Sequence, residues 1–228
     1  MARRSKGGCF TLIEILVAIA VLGLLMGSLM VVFTQTTAIV QSTTEKAEMI
    51  QNIRTTIEQL HRELSQSIIN NNRPDGEQVY FEIKQLSKDQ SVLRFGCTTE
   101  RGLAEIGYQV RPSDGGWQNY ELWRLYRTRN MWNYTEPGWP ALDFSSPDCE
   151  PFAFSIVSFR VWFWSPQRER WIYNDWESID RNAMPQKIKI EIRAMTRSDG
   201  KAARNIKDLS GVTKMEKFET EINLPQSR

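Results

Sequence analysis

Phe10-Thr-Leu-Ile-Glu14-Ile-Leu-Val-Ala-Ile-Ala-Val-Leu-Gly-Leu-Leu-Met-Gly-Ser-Leu-Met-Val-Val-Phe33 decides the architecture. The run is almost wholly apolar. At a rise of about 1.5 Å per residue, a helix of this length covers roughly 36 Å, enough to cross a hydrocarbon core of about 30 Å. One full charge, Glu14, sits a turn inside the apolar boundary, and a carboxylate at the centre of a membrane helix costs about 2.5 to 3.5 kcal/mol. Such a charge calls for a cationic partner. A cut just before Phe10 creates a free ammonium there, and the Glu14 of one copy then neutralises the ammonium of a neighbouring copy inside the membrane. Arg3, Arg4 and Lys6 precede the span and hold its N-terminus in the cytoplasm, so the bulk of the chain is expected on the other side.

Beyond Phe33 the sequence becomes polar without breaking. Residues 34–70 contain no proline or glycine, and Met49/Ile50, Ile53, Ile57, Leu60, Leu64 and Ile68 recur at steps of three and four, the stripe of an amphipathic helix. Residues 11–70 therefore read as one helix of about 90 Å. Gly23 and Gly27 form a small-xxx-small pair that either admits a close neighbouring helix or is ordinary glycine use in a membrane span. The cluster Asn70-Asn-Asn-Arg-Pro-Asp-Gly76 is expected to end the helix.

After that the period changes to two. Residues 79–84, 91–95, 104–110 and 120–127 alternate apolar with polar and read as antiparallel strands with one wet face. Residues 130–151, rich in Pro, Trp, Asp and Ser, read as a long loop. Residues 152–164 are the most apolar of the domain and read as a single central strand, paired with 170–173 across Ser165-Pro-Gln-Arg-Glu169. Further strands are expected at 187–193 and 217–224, separated by a polar loop at 196–213. The fold class is α+β, a long N-terminal helix packed on an antiparallel β-sheet domain. The segments are a leader at 1–9, an apolar helix at 10–33, an amphipathic helix at 34–70 and a β-rich domain at 71–228.

The N-terminal pattern of short basic leader, small residue, Phe10-Thr11-Leu12-Ile13 and then Glu14 resembles the class III signal and first helix of type IV pilins and type II secretion pseudopilins. In the C-terminal half, Trp171 and Trp176 followed by Met184-Pro185 leading into a strand look like the J-type minor pseudopilins. Tyr120-Glu-Leu-Trp-Arg124 fits an earlier strand of those proteins less distinctly. The resemblance implies a prepilin peptidase that removes residues 1–9 and methylates the amine of Phe10. It implies no cofactor, insertion in inner-membrane lipid with a periplasmic domain, and assembly with I-like, K-like and G-like pseudopilins, with exported proteins as further contacts. Family members carry glycine before the cut, whereas Cys9 stands here behind Gly7 and Gly8, so cleavage after Cys9 competes with cleavage after Gly8.

Other N-terminal readings fit less well. Ala18-Ile19-Ala20 mimics a secretory cleavage site, but Glu14 precedes it and the hydrophobicity runs on to Phe33. A lipoprotein needs its apolar stretch before the cysteine, and here it follows Cys9. An uncleaved anchor leaves Glu14 unexplained.

The formal charge of +2 falls to −1 when Arg3, Arg4 and Lys6 are removed (29 − 3 = 26 basic against 27 acidic residues), which argues against a nucleic-acid surface. About 160 residues follow the helix, enough for one domain with its own core. Eight Trp, six Tyr and ten Phe serve either a sheet core or an exposed aromatic face. Cys97 and Cys149 are either a disulfide or two free thiols. His61, among Glu58, Arg62 and Glu63, reads as a solvated surface residue. Asn174, Asp175, Glu177 and Asp180 read as an acidic turn, with calcium binding the alternative. No metal spacing, phosphate-cradling glycine loop or nucleophile–base pairing stands out, so the expectation is a structural subunit and not an enzyme. Two alternatives remain: a minor subunit of a type IV or DNA-uptake pilus, and a membrane-tethered carbohydrate-binding module using Trp132, Trp139, Trp171 and Trp176.

Overall fold

A computed structural model describes residues 11–69, 79–112, 120–128, 147–177, 183–196, 198–199 and 215–225. Helix α1 runs from Leu12–Ser65 over 54 residues. The chain divides into two compact units, Met1–Glu45 and Lys46–Arg228.

In the first unit the side chains of α1 are exposed on every face, with Leu12, Leu24 and Phe33 each more than two-thirds exposed. A surface this apolar is stable only when lipid or other apolar helices cover it. By length and composition α1 is able to cross a membrane. Several of its hydroxyls bond the backbone of the preceding turn, as a hydrocarbon setting favours. Ser28 Oγ donates to Leu25 O at 2.8 Å and Thr37 Oγ1 to Phe33 O at 2.8 Å. A Cβ at Gly23 or Gly27 would meet nothing within 4 Å.

In the second unit the stripe read from the sequence is buried, with Met49, Ile53, Leu60 and Leu64 in the core. Burial on α1 begins at Met49. The helix also ends earlier than its periodicity suggested. Ser67 Oγ bonds Leu64 O at 2.7 Å, the Thr98 N–H donates to Gln66 O at 3.1 Å, and β1 (Ser67–Ile68) joins a sheet. Ile68 continues the helical spacing but serves a strand, because β1 finds its partner at Cys97 and Gly96. The breaker cluster at 70–76 lies outside the described residues.

The strands are β2 (Phe81–Ser87), β3 (Gln90–Thr99), β4 (Gly102–Pro112), β5 (Tyr120–Thr128), β6 (Cys149–Phe154), β7 (Ile156–Ser165), β8 (Arg170–Ile172), β9 (Trp176–Glu177), β10 (Lys187–Ala194) and β11 (Glu216–Asn223). Their order is β11-β10-β7-β3-β4-β5-β6, with β1 and β2 on β3, β8 on β7, and β9 on β2. Every pairing is antiparallel except the β3–β7 junction, a single parallel pair between Gln90 and Phe159. Side chains reinforce that junction. Ser91 Oγ accepts the Val161 N–H at 3.1 Å and donates to Gln85 Oε1 at 2.6 Å, Gln85 Nε2 donates to Val161 O at 3.1 Å, and Ser158 Oγ donates to Asp89 O at 2.7 Å.

The run expected as one central strand at 152–164 is two strands. Ser155 adopts φ 64°, a left-handed conformation that ends β6 and starts β7. β6 closes the sheet on β5, whereas β7 pairs with β10 and β8. The change of direction therefore hands the chain from one end of the sheet to its middle. β6 also begins at Cys149, inside the stretch read as loop; residues 130–146 of that stretch are not described.

Gly96 is needed for close approach. A Cβ there would collide with Val79 Cγ1, because the chain at Val79–Tyr80 and β1 both lie against this point of β3. No disulfide joins Cys97 and Cys149, and both are buried. Cys97 is on β3 and Cys149 on β6, with β4 and β5 between them. At about 4.8 Å per strand the separation is at least roughly 14 Å, twice the longest Cα distance of about 7 Å that a disulfide spans.

Candidate functional site

The residues of the expected processing site, Gly8, Cys9 and Phe10, lie outside the described part of the chain. Glu14 is in the first turn of α1. Its Oε2 accepts the Thr11 N–H at 3.3 Å and the Thr11 hydroxyl at 3.3 Å, while the Glu14 N–H donates to Thr11 Oγ1 at 3.3 Å. This is a reciprocal capping box, which gives the helix start two of its missing hydrogen-bond partners. The carboxylate is otherwise exposed, and the side chains that follow it along the helix to Leu25 are all apolar or glycine.

A second polar centre lies within the globular unit. The register places Leu93, Tyr108, Arg124 and Glu150 side by side across β3, β4, β5 and β6. Glu63, from the last turn of α1, comes down on this row and is only 5% exposed. One of its carboxylate oxygens accepts the Tyr108 hydroxyl; the other accepts Arg124 Nη2 at 2.6 Å and Gln59 Nε2 at 2.7 Å. The Arg124 guanidinium also lies 4.8 Å from the centre of the Tyr126 ring. Burial, helped by the negative Glu63, drives the Tyr108 phenol well above its ordinary value, so it remains a proton donor. Cys97, beside this group, is pushed up to about 12, first by burial and then by Glu63. It is an inert thiol at neutral pH.

Glu63 was not legible as a buried residue from its charged surroundings, Arg62 and Glu58. The available signal was helical spacing: Thr56 and Glu63 fall on the same face as Ile53, Leu60 and Leu64, and both are buried. His61 is exposed, as the sequence indicated, with its Nδ1 3.4 Å from Ser65 Oγ.

Over Glu63 and Arg124 opens a depression of about 550 Å³. Arg62 from the last turn of the helix, Gln66 just after it, Thr98 from the end of β3, Arg101 from the β3–β4 turn and Tyr126 from β5 contribute to its wall.

The opposite face of β3–β5 carries another buried pair, with Arg94 Nε donating to Glu105 Oε1 at 2.6 Å. Burial raises Glu105 above the usual carboxylate range, and Arg94 opposes that shift.

On the wet face of β7, β8 and β10 the aromatic residues are braced by cations. The Trp162 ring has Arg160 at 4.5 Å and Lys189 at 4.9 Å, and the Trp164 and Trp171 rings are 5.4 Å apart. Of the tryptophans considered for sugar binding, Trp171 is on this face. Trp176 packs against Phe163 at 4.7 Å and donates its indole N–H to Ala183 O at 3.3 Å, in the core layer. The two therefore form no common platform, and Trp132 and Trp139 lie outside the described residues. In the acidic turn, Asp175 Oδ1 accepts the Gln85 N–H at 2.6 Å. Among the described residues no three acidic, histidine or cysteine side chains are grouped to hold a metal.

Comparison with protein-family models, with curated proteins and with solved structures finds no match to this chain.

Proposed function

We propose that the chain is a minor pseudopilin of the J type, a non-enzymatic tip or initiation subunit of a type II secretion pseudopilus, held in the bacterial inner membrane with its β-rich domain in the periplasm. The observation that carries this reading is Glu14, an exposed carboxylate at the head of a helix that is apolar all round. After a peptidase exposes the amine of Phe10, Glu14 of one subunit pairs with that amine on another, an interaction strengthened by the low dielectric of the bilayer. The apolar surface of α1 from Leu12 to Val40 then packs against sister helices, and the sheet domain selects partners among I-like, K-like and G-like subunits.

The capping box supplies a competing role for Glu14, and one substitution separates the two. Glutamine at this position keeps the capping hydrogen bonds but carries no charge. Glu14→Gln is expected to insert normally and to incorporate as poorly as Glu14→Ala in pull-downs of assembled filaments. Normal incorporation of Glu14→Gln would show that Glu14 is only a helix cap. Mass spectrometry of the mature N-terminus tests the processing step, since a working protein that retains Met1 has no free Phe10 amine to pair.

A further inference from the structure

The depression over Glu63 and Arg124 is built from mismatched charges. Glu63 is already saturated by Tyr108, Arg124 and Gln59. Arg124, by contrast, has donors left over: its Nε is buried with no acceptor, and its Nη1 has only Glu150, at 3.7 Å on a carboxylate that is 67% exposed. On the rim, Arg62 and Arg101 are exposed and form no hydrogen bond or ion pair among the described residues, and Glu100 is the single acidic group facing them. Counting the wall, three guanidinium groups face two carboxylates, one of which is spent on Arg124.

We propose that this depression is a docking site for a carboxylate side chain of a partner polypeptide, held by Arg62 and Arg101 and facing the Arg124 guanidinium on the wall. Planar guanidinium forks match a carboxylate in two-point contact, which explains why arginine and not lysine stands at all three positions. A volume of about 550 Å³ is far more than one small ion fills. The Gln66 carboxamide and the Thr98 hydroxyl on the wall suit a peptide backbone beside the acid. That the occupant is a polypeptide rests on the assembly reading above; the preference for an acid does not.

The experiment uses the full chain in detergent and a fluorescent, end-blocked hexapeptide containing glutamates, with its glutamine counterpart and inorganic phosphate as controls, read by anisotropy. The glutamate peptide is expected to bind at least ten-fold more tightly than the glutamine peptide. Arg62→Gln combined with Arg101→Gln, both exposed, is expected to weaken it at least ten-fold with an unchanged melting curve. No binding of the glutamate peptide, equal binding of the glutamine peptide, or an unaffected double variant overturns the proposal. Displacement by phosphate at equal charge concentration also overturns it, in favour of a general anion site. Because Glu14→Gln reports on filament incorporation independently, a failed site with a working filament contact condemns only the docking proposal, and the converse result condemns only the assembly reading.

Discussion

Arg124→Met removes the guanidinium hydrogen-bonded to Glu63 while keeping most of the side-chain volume. Glu63 remains 5% exposed, its charge answered among the described residues by the Tyr108 hydroxyl and the Gln59 amide. Breaking a fully buried ion pair from one side costs about 3–5 kcal/mol. Two retained hydrogen bonds, and the 14% exposure of the Arg124 side chain, reduce the expected loss here to about 2–4 kcal/mol. For a domain of this size that lowers the melting temperature by roughly 5–15 °C. The decisive variant is the double one, Glu63→Gln with Arg124→Met. Glutamine still accepts the Tyr108 proton, so the buried phenol keeps its partner while the stranded charge disappears. The double variant should recover about 1–3 kcal/mol relative to the sum of the single ones, measured by urea denaturation of the full chain in detergent with tryptophan emission as the probe. Additivity within about 0.5 kcal/mol would refute the reasoning, because it would mean that Glu63 and Arg124 do not depend on one another.

Three other outcomes follow from the packing. Gly96→Ala should cost about 1–3 kcal/mol by overpacking against Val79, and Val79→Ala in the same chain should restore part of it in the same denaturation assay. Alkylation in denaturant without reductant should add a label to both Cys97 and Cys149, counted by intact mass; loss of either label shows a disulfide. In the folded protein, a Cys97 pKa moved from 9.0 to about 12 lowers the thiolate fraction at pH 8 by about a thousand-fold, so its labelling should be that much slower than for an exposed thiol. The sign for stability follows from the same shift. The folded chain holds that proton more tightly than the unfolded chain, so the contribution is complete below about pH 9 and is lost as the pH rises toward 12.

Periodicity carried most of the architecture. The apolar run appears as a helix, the stripe through Ile53, Leu60 and Leu64 is buried, and Lys187-Ile-Lys-Ile-Glu-Ile-Arg193 is a strand with its isoleucines buried. What local patterns missed was set by distant partners. Ile68 satisfied a helical spacing but was captured by β3. The 152–164 run looked uniform because hydrophobicity does not register a single left-handed residue, here Ser155. Glu63 shows no local sign of its ion pair, because its cation comes from Arg124, sixty-one residues away, and no local window contains both.

The junction of β3 with β7 has mechanical consequences. One ladder pair, a few hydroxyl and amide contacts and the ion pairs of Asp89 with Arg160 and Arg193 are the polar links, beside the shared core, between two groups of strands that are each extensively paired internally. A force applied to one group reaches the other through bonds that can be broken one at a time, so the sheet has a built-in line of least resistance. Deformation of the domain under load would begin along that seam, leaving the ladders on either side whole.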